Sequence, residues 1–464
     1  MAKRIVGPVI LVVWLVMVGW QARREYFQPE LARLAEAALS LAPGINFYTL
    51  TMGDRTVGQA TSRLDTLPDG FELEDLMNLE LPALGQTGVA IARTRVKLSP
   101  SLTMQSFDFT LDSEVGRFEA SGTLAADTTL AVTIVSAGSE QNLSFRLSQP
   151  PIFSNVVPIR VAMGEGLEVG KRVSLPVFDP TSLSTRNVEV RVLEHDTLFV
   201  TDSAAIGPSG RWASARLDTV PAWKIAEVFG GIQVESWVDE DGRILKASSA
   251  LGFSMEKTEY ELARQAQEDS RLTSTSAIDD DVILSTAIQS DVDLSDVEEY
   301  DELRFRLTGV DLEGFELDGG RQSLRGDTLI VRRERWDSVD PNYSLPYRFM
   351  DLSESLEPEP LIQSDDERIV RKAREVTAAR TQWSQDPKRV ARQLTSAVYS
   401  MLDKSITFSV PNAVQVLETL QGDCNEHPVL YVAMARALGR PAPVSYTHLT
   451  LPTKGRGGGG GGGG

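Results

Sequence analysis

The chain has 464 residues, enough for two or three domains with their own cores, and its hydrophobic, charged, Gly and Pro contents are those of a globular protein. A formal charge of -19 disfavours partners recognised through phosphate, so no nucleic-acid partner is expected. One cysteine cannot form an intrachain disulfide, and three histidines (His195, His427, His448) offer little material for zinc; no metal or cofactor is expected.

Lys3 and Arg4 precede an apolar run from Ile5 to Trp20. The run is shorter than the roughly 20 residues of a comfortable spanning helix. No small-x-small cleavage pattern follows, and Arg23 and Arg24 come at once. Residues 1–24 therefore read as an uncleaved signal-anchor with a cytoplasmic N-terminus. That reading makes the chain a single-pass protein of the cell membrane, associated with it through an N-terminal helix, with its bulk extracytoplasmic. The alternative is a buried N-terminal helix, but the run lacks a polar face. From about 29 to 41, Leu31, Leu34, Ala38 and Leu41 recur at helical spacing.

Residues 25–255 read as a β-rich domain. Phe107, Phe109 and Leu111 alternate with polar residues, as do Leu130, Val132 and Ile134, then Leu143, Phe145 and Leu147, then Val188, Val190 and Val192. Turn signals recur at Gly53-Asp54, Pro68-Asp69-Gly70, Pro208-Ser209-Gly210 and Asp241-Gly242. The expectation is a large curved antiparallel sheet or partly closed barrel. It vaguely resembles envelope domains of the lipoprotein-carrier kind, with no motif behind the likeness. A concave face for an apolar ligand and a plain scaffold are both open readings.

Residues 256–302 read as a charged helix, Glu256 to Ser270, and an acidic linker with no Lys or Arg between Arg271 and Arg304. A small β-rich block, 303–355, follows, with Leu303, Phe305 and Leu307 and then Leu329 to Arg333. From 361 to 442 the period becomes 3.6. Ser364 and Glu367 have capping-box spacing, Asp386-Pro387 opens a second helix, Pro411 a third, and Asp423 caps a fourth that ends at Gly439. Cys424 then falls in the first turn of that helix, where unpaired N–H groups and the helix dipole stabilise a thiolate. A buried structural cysteine is the other reading; the polar neighbours Asp423, Asn425, Glu426 and His427 favour a site.

Gly422-Asp423-Cys424-Asn425-Glu426-His427, the helix through Leu430, Ala433 and Ala435-Arg436-Ala437, the end Gly439-Arg440-Pro441-Ala442 and the start Pro411-Asn412-Ala413 resemble the core of the bacterial transglutaminase-like superfamily. The resemblance implies a papain-like α+β fold with a Cys-His-Asp triad, acting on glutamine side chains or other amide bonds of a protein or peptide substrate. It assigns only the nucleophile, to Cys424; Asp423, Asn425, Glu426 and His427 are read from their polarity and position as supporting walls. In that family the base follows on a strand, so His427 is not its counterpart.

Val444 to Thr453 can be back-translated into a common sequencing-library transposon adapter, and a Gly run extends to Gly464. Residues 443–464 are therefore read as an artefact rather than a Gly-rich linker, and His448 is not adopted as the base. The expected fold is α+β and multidomain: an N-terminal membrane helix, a large antiparallel β-rich region, and the truncated helical part of a papain-like, transglutaminase-like domain. The expected activity is Cys-dependent acyl transfer or hydrolysis in a complete protein, absent from the chain as it stands. A non-catalytic envelope scaffold with a degenerate module is the alternative.

Overall fold

A computed structural model describes residues 30–443, apart from 84–85, 126–127, 137, 230–231, 250–251, 274–299, 309–316, 378–385, 406, 408 and 424. The expected anchor over 1–24, most of the acidic linker, Cys424 itself and the tail from 444 lie outside the described residues.

Two expectations are corrected. Among the described residues no helix is long and apolar enough to cross a membrane. The longest, Pro387–Met401, is amphipathic and extends only about 22 Å at 1.5 Å per residue, against ~30 Å of hydrocarbon. The membrane helix in the fold reading and the single-pass, extracytoplasmic localisation are withdrawn. The α+β class is compatible with what is seen.

Helix α1 (Glu30–Ala38) leads into an antiparallel meander: β1 (Gly44–Met52), β2 (Arg55–Leu67), β3 (Gly70–Ala83), β4 (Gln86–Leu98), β5 (Met104–Ser113), β6 (Gly116–Ala125), β7 (Thr129–Ser136) and β8 (Ser139–Arg146). The short β9 (Ile152–Phe153) and α2 (Val157–Arg160) begin a second run. It continues through β10 (Arg172–Asp179), β11 (Ser184–Ile206), β12 (Trp212–Phe229), β13 (Ile232–Val238), β14 (Ile244–Ser249) and β15 (Phe253–Thr258). The last strand returns to pair with the first, Phe47 opposite Thr258. The result is one 15-stranded sheet with β8 and β9 as its edges.

The expected alternation appears as burial: Leu130, Val132 and Ile134 of β7 and Val188, Val190 and Val192 of β11 all face cores. Leu34, Ala38 and Leu41 seal one core from the α1 side. At its centre the Phe107 ring lies 4.9 Å from Phe153 and 5.3 Å from Phe178. Gly122 stands opposite Phe107 across β5 and β6. A Cβ there would come within 2.2 Å of the ring, so only glycine leaves it room.

The charged helix starts later than its composition suggests. Residues 253–258 are claimed by pairing on both sides, with β1 and β14, and α3 occupies Tyr260–Thr273. Beyond it, β16 (Glu302–Arg306), β17 (Gln322–Arg325) and β18 (Thr328–Arg332) form a three-stranded sheet with β18 in the middle.

The helical block holds α4 (Glu367–Val376), α5 (Pro387–Met401), α6 (Ala413–Thr419) and α7 (Glu426–Ala437). Asp386 accepts the Lys388 N–H at 3.0 Å, the N-cap expected there. The α4 cap is Asp366, whose carboxylate accepts the Arg368 N–H, and not Ser364. Helix α7 is apolar nearly all round, with Val429, Leu430, Val432, Ala433, Met434 and Ala435 buried, as befits a helix enclosed by others. It packs on α4, α5 and α6.

This block is seated on the sheet. Val410 enters the core shared with Phe107. Asn412 Nδ2 donates to Ser136 Oγ at 2.6 Å, Ser136 Oγ donates to Gln415 Oε1 at 3.1 Å, and Gln415 Nε2 donates to the Val115 carbonyl at 3.1 Å. All three side chains are buried. Replacing Gly122 by Val is expected to destabilise the protein by about 1–3 kcal/mol through overpacking against Phe107. Urea unfolding checks this, and an unchanged midpoint would contradict the packing described.

Candidate active site

The approach to α7 is set by short-range constraints. Leu420 ends α6 in the left-handed region at φ 53, and its carbonyl accepts the Asp403 N–H at 2.9 Å. Two-residue strands then pair in parallel, β19 (Asp403–Lys404) with β20 (Gln421–Gly422). Together they hold Asp403 and Lys404 beside the segment that leads into α7.

Glu426 is the organising side chain. Only 2 % of it is exposed. Its Oε2 accepts the Asp423 N–H at 2.9 Å, and its Oε1 accepts the hydroxyls of Thr407 at 2.6 Å and Ser409 at 2.7 Å. Asp423 Oδ1 in turn accepts the Asn425 N–H at 2.8 Å. This is a reciprocal capping box, Asp at the cap and Glu three residues on. Gly422 makes it possible, because a Cβ at that position would stand 2.3 Å from the Glu426 Cβ.

The His427 N–H reaches back to the Asp423 carbonyl at 3.4 Å, so helical bonding begins at Asp423. The His427 ring contacts the same carbonyl, Nδ1 to O 2.6 Å. A nitrogen facing a carbonyl is the protonated one. Nε2 is buried and has no hydrogen-bond partner among the described residues. Asn425 is exposed. Burial, and then the hydrogen bond with Glu426, push the Asp423 carboxyl up to about 6.

Asp423, Glu426 and His427 are thus brought into one cluster around the helix start. Cys424, between them in sequence, lies outside the described residues, as does His448. His195 sits on the β11–β12 ribbon, across from Trp223 with ring centroids 4.6 Å apart. Gly422 was read as the head of the motif but not as the residue that makes room for Glu426, and Thr407 and Ser409 were not singled out from the sequence. The Asp-x-x-Glu spacing behind Gly422 is the signal that could have found the first, while the two hydroxyls arrive from a distant loop. Arg436, quoted in the motif without a role, is 5 % exposed. It donates to the carbonyls of Ala442 at 3.0 Å and Glu357 at 2.6 Å, and pairs with Glu359 at 2.8 Å. It ties the end of α7 to the segment that enters the block.

Residues 372–459 match the core model of the transglutaminase-like superfamily. The match begins inside α4, spans the site just described and continues into the tail. The C-terminal segment of the chain is accordingly transglutaminase-like. No curated protein matches. The crystal structure of a DUF1089-family protein from Pseudomonas aeruginosa matches at 14% identity and a TM-score of 0.25, covering 40% of this chain and 87% of that one.

Two outcomes are expected. Glu426→Ala leaves three donors without their acceptor and should cost about 2–4 kcal/mol in urea unfolding, with Glu426→Gln milder. Asp423 has a folded pKa raised to about 6 from an ordinary 3.8. Its contribution to stability is therefore full below pH 3.8 and is lost as pH rises through 6. Asp423→Asn should remove that fall. A wild-type-minus-variant stability difference that stays flat between pH 4 and 6 would refute the assignment.

Proposed function

We propose that the transglutaminase-like segment uses the Cys424 thiolate to attack an amide carbonyl of a protein or peptide. The C–N bond breaks, the nitrogen leaves as ammonia or an amine after taking a proton, and the acyl group is held as a thioester. An amine or water then accepts it, giving transfer or hydrolysis. The observation that carries this reading is the capping box of Asp423 and Glu426 beneath Gly422. It fixes the start of a buried helix within the segment matched to the superfamily. The dipole at such a helix start favours a thiolate, and a first-turn N–H not taken by the cap can donate to a developing oxyanion.

The general base lies elsewhere. His427 Nδ1 is committed to its own helix and His195 belongs to the β11–β12 ribbon. Among the described residues, neither histidine is therefore proposed as the base of this thiol. The apolar-carrier reading of the sheet finds less support, since Phe107, Phe153 and Phe178 fill the core that a ligand would need. A non-catalytic scaffold remains the second reading, favoured by the buried Asn412–Ser136–Gln415 docking.

The test is alkylation of the full chain with iodoacetamide as a function of pH, Cys424 being its only thiol. A midpoint below the ~8.5 of a free cysteine is expected, and a midpoint at or above it would sink the nucleophile. Ammonia release from a glutamine peptide, lost in Cys424→Ala, would show instead that the chain is active.

A further inference from the structure

Along α5, reaching from its exposed side to Pro387 and Ala391 at the margin of its buried face, lie two adjoining hollows of about 750 and 670 Å³. They share Trp336, Lys388, Arg392 and Ser396, and so form one groove. Its cations are Lys388, Arg389, Arg392 and Arg440; its carboxylates are Asp337 and Asp386. Asp386 already serves as the α5 cap. Among the described residues no carboxylate is ion-paired with Lys388, Arg389 or Arg392. Lys388 instead sits over the Trp336 ring at 5.5 Å. Arg440 donates to the Pro387 carbonyl at 2.5 Å, which fixes it at the groove wall.

This placement works against the helix. Three cations crowd the first turns of α5, where the dipole repels positive charge, and Lys388 and Arg392 are four residues apart on one face. The arrangement becomes favourable when an anion lies across it. Aromatic surface from Trp336, Tyr343 and Tyr431 lines the same groove, which suits a polypeptide better than a bare ion. A nucleic acid or an anionic membrane would bring dense charge toward a chain of net charge -19, whereas a short acidic stretch brings only a few.

The groove also has a useful direction. Tyr431 stands six residues after Asn425, about 9 Å along the helix axis from the start of α7. Arg440 lies just past the other end of a helix about 17 Å long. About five residues of extended chain bridge that length.

We propose that the groove binds acidic polypeptide, so that the thiol segment takes glutamine or amide sites flanked by Asp or Glu a few residues away. The choice of substrate rests on the function proposed above; the binding itself does not. The test is fluorescence anisotropy of the full chain with a labelled glutamine peptide rich in glutamate, beside the same peptide with every Glu replaced by Gln. Salt-sensitive binding of the acidic peptide alone is expected. Arg389→Glu/Arg392→Glu should weaken it roughly tenfold, about 1.4 kcal/mol; Arg389→Lys/Arg392→Lys should retain it. If the reversed pair fails to fold, Arg389→Gln/Arg392→Gln, at two exposed positions, gives the same comparison. Equal binding of the neutral peptide, or unchanged affinity in the variants, overturns the proposal. Tighter binding to phosphatidylglycerol vesicles than to the peptide would also overturn it. An unreactive thiol with the acidic peptide still bound would remove the catalytic reading and leave the docking site standing.

Discussion

The site depends on one buried carboxylate. Glu426 lies under Gly422, and its two oxygens receive one N–H from its own helix start and two hydroxyls from the 407–409 loop. A buried carboxylate without donors would cost several kcal/mol, so its neighbours are held to the geometry that satisfies it. Each partner then fixes something further. Asp423 caps the helix, the loop is drawn against β20, and Gly422 is confined to a residue without a side chain. The spacing Gly-Asp-x-x-Glu is thus a packing requirement as well as a chemical one.

The sheet takes part in this arrangement. Asn412 starts α6 through its own side chain, which accepts the Gln415 N–H at 2.9 Å, while its amide donates to Ser136 at the end of β7. Val410 is buried in the sheet's aromatic core. The loop that supplies Thr407 and Ser409 is therefore anchored at its far end by the β-rich region. A sheet that merely spaced the helices from something else would have no reason to place buried polar groups at the join, where each unsatisfied one is costly.

Local pattern and long-range pairing were unequally legible in the sequence. The period of two located strands such as those of Leu130 to Ile134 and Val188 to Val192, and the period of 3.6 located α5 and α7, because each is written in neighbouring residues. Closure of β1 on β15, more than 200 residues apart, carries no such mark. The same limit explains the helix expected from Glu256: its first residues are charged, but two strands compete for their backbone and win. Asp366 displaced Ser364 as a cap because both precede the same apolar stripe and only geometry separates them. Glu426 was legible as polar company for a thiol. That it is the buried support of the helix start depends on Thr407 and Ser409, which no spacing connects to it.

The division of labour at the helix start follows from the same contacts. His427 is one turn below Asp423 and bonds to its carbonyl, so its ring is oriented by the start of its own helix. On the function proposed above, a base that first removes and later returns a proton would have to approach Cys424 from outside that helix, as the triad logic requires of a group oriented by a third residue. The acidic groups here cannot do this either. Glu426 is saturated with donors, and Asp423 spends one oxygen on the Asn425 N–H. If Cys424 acts as proposed above, the two carboxyl groups would suit the support of an arriving imidazolium better than proton transfer.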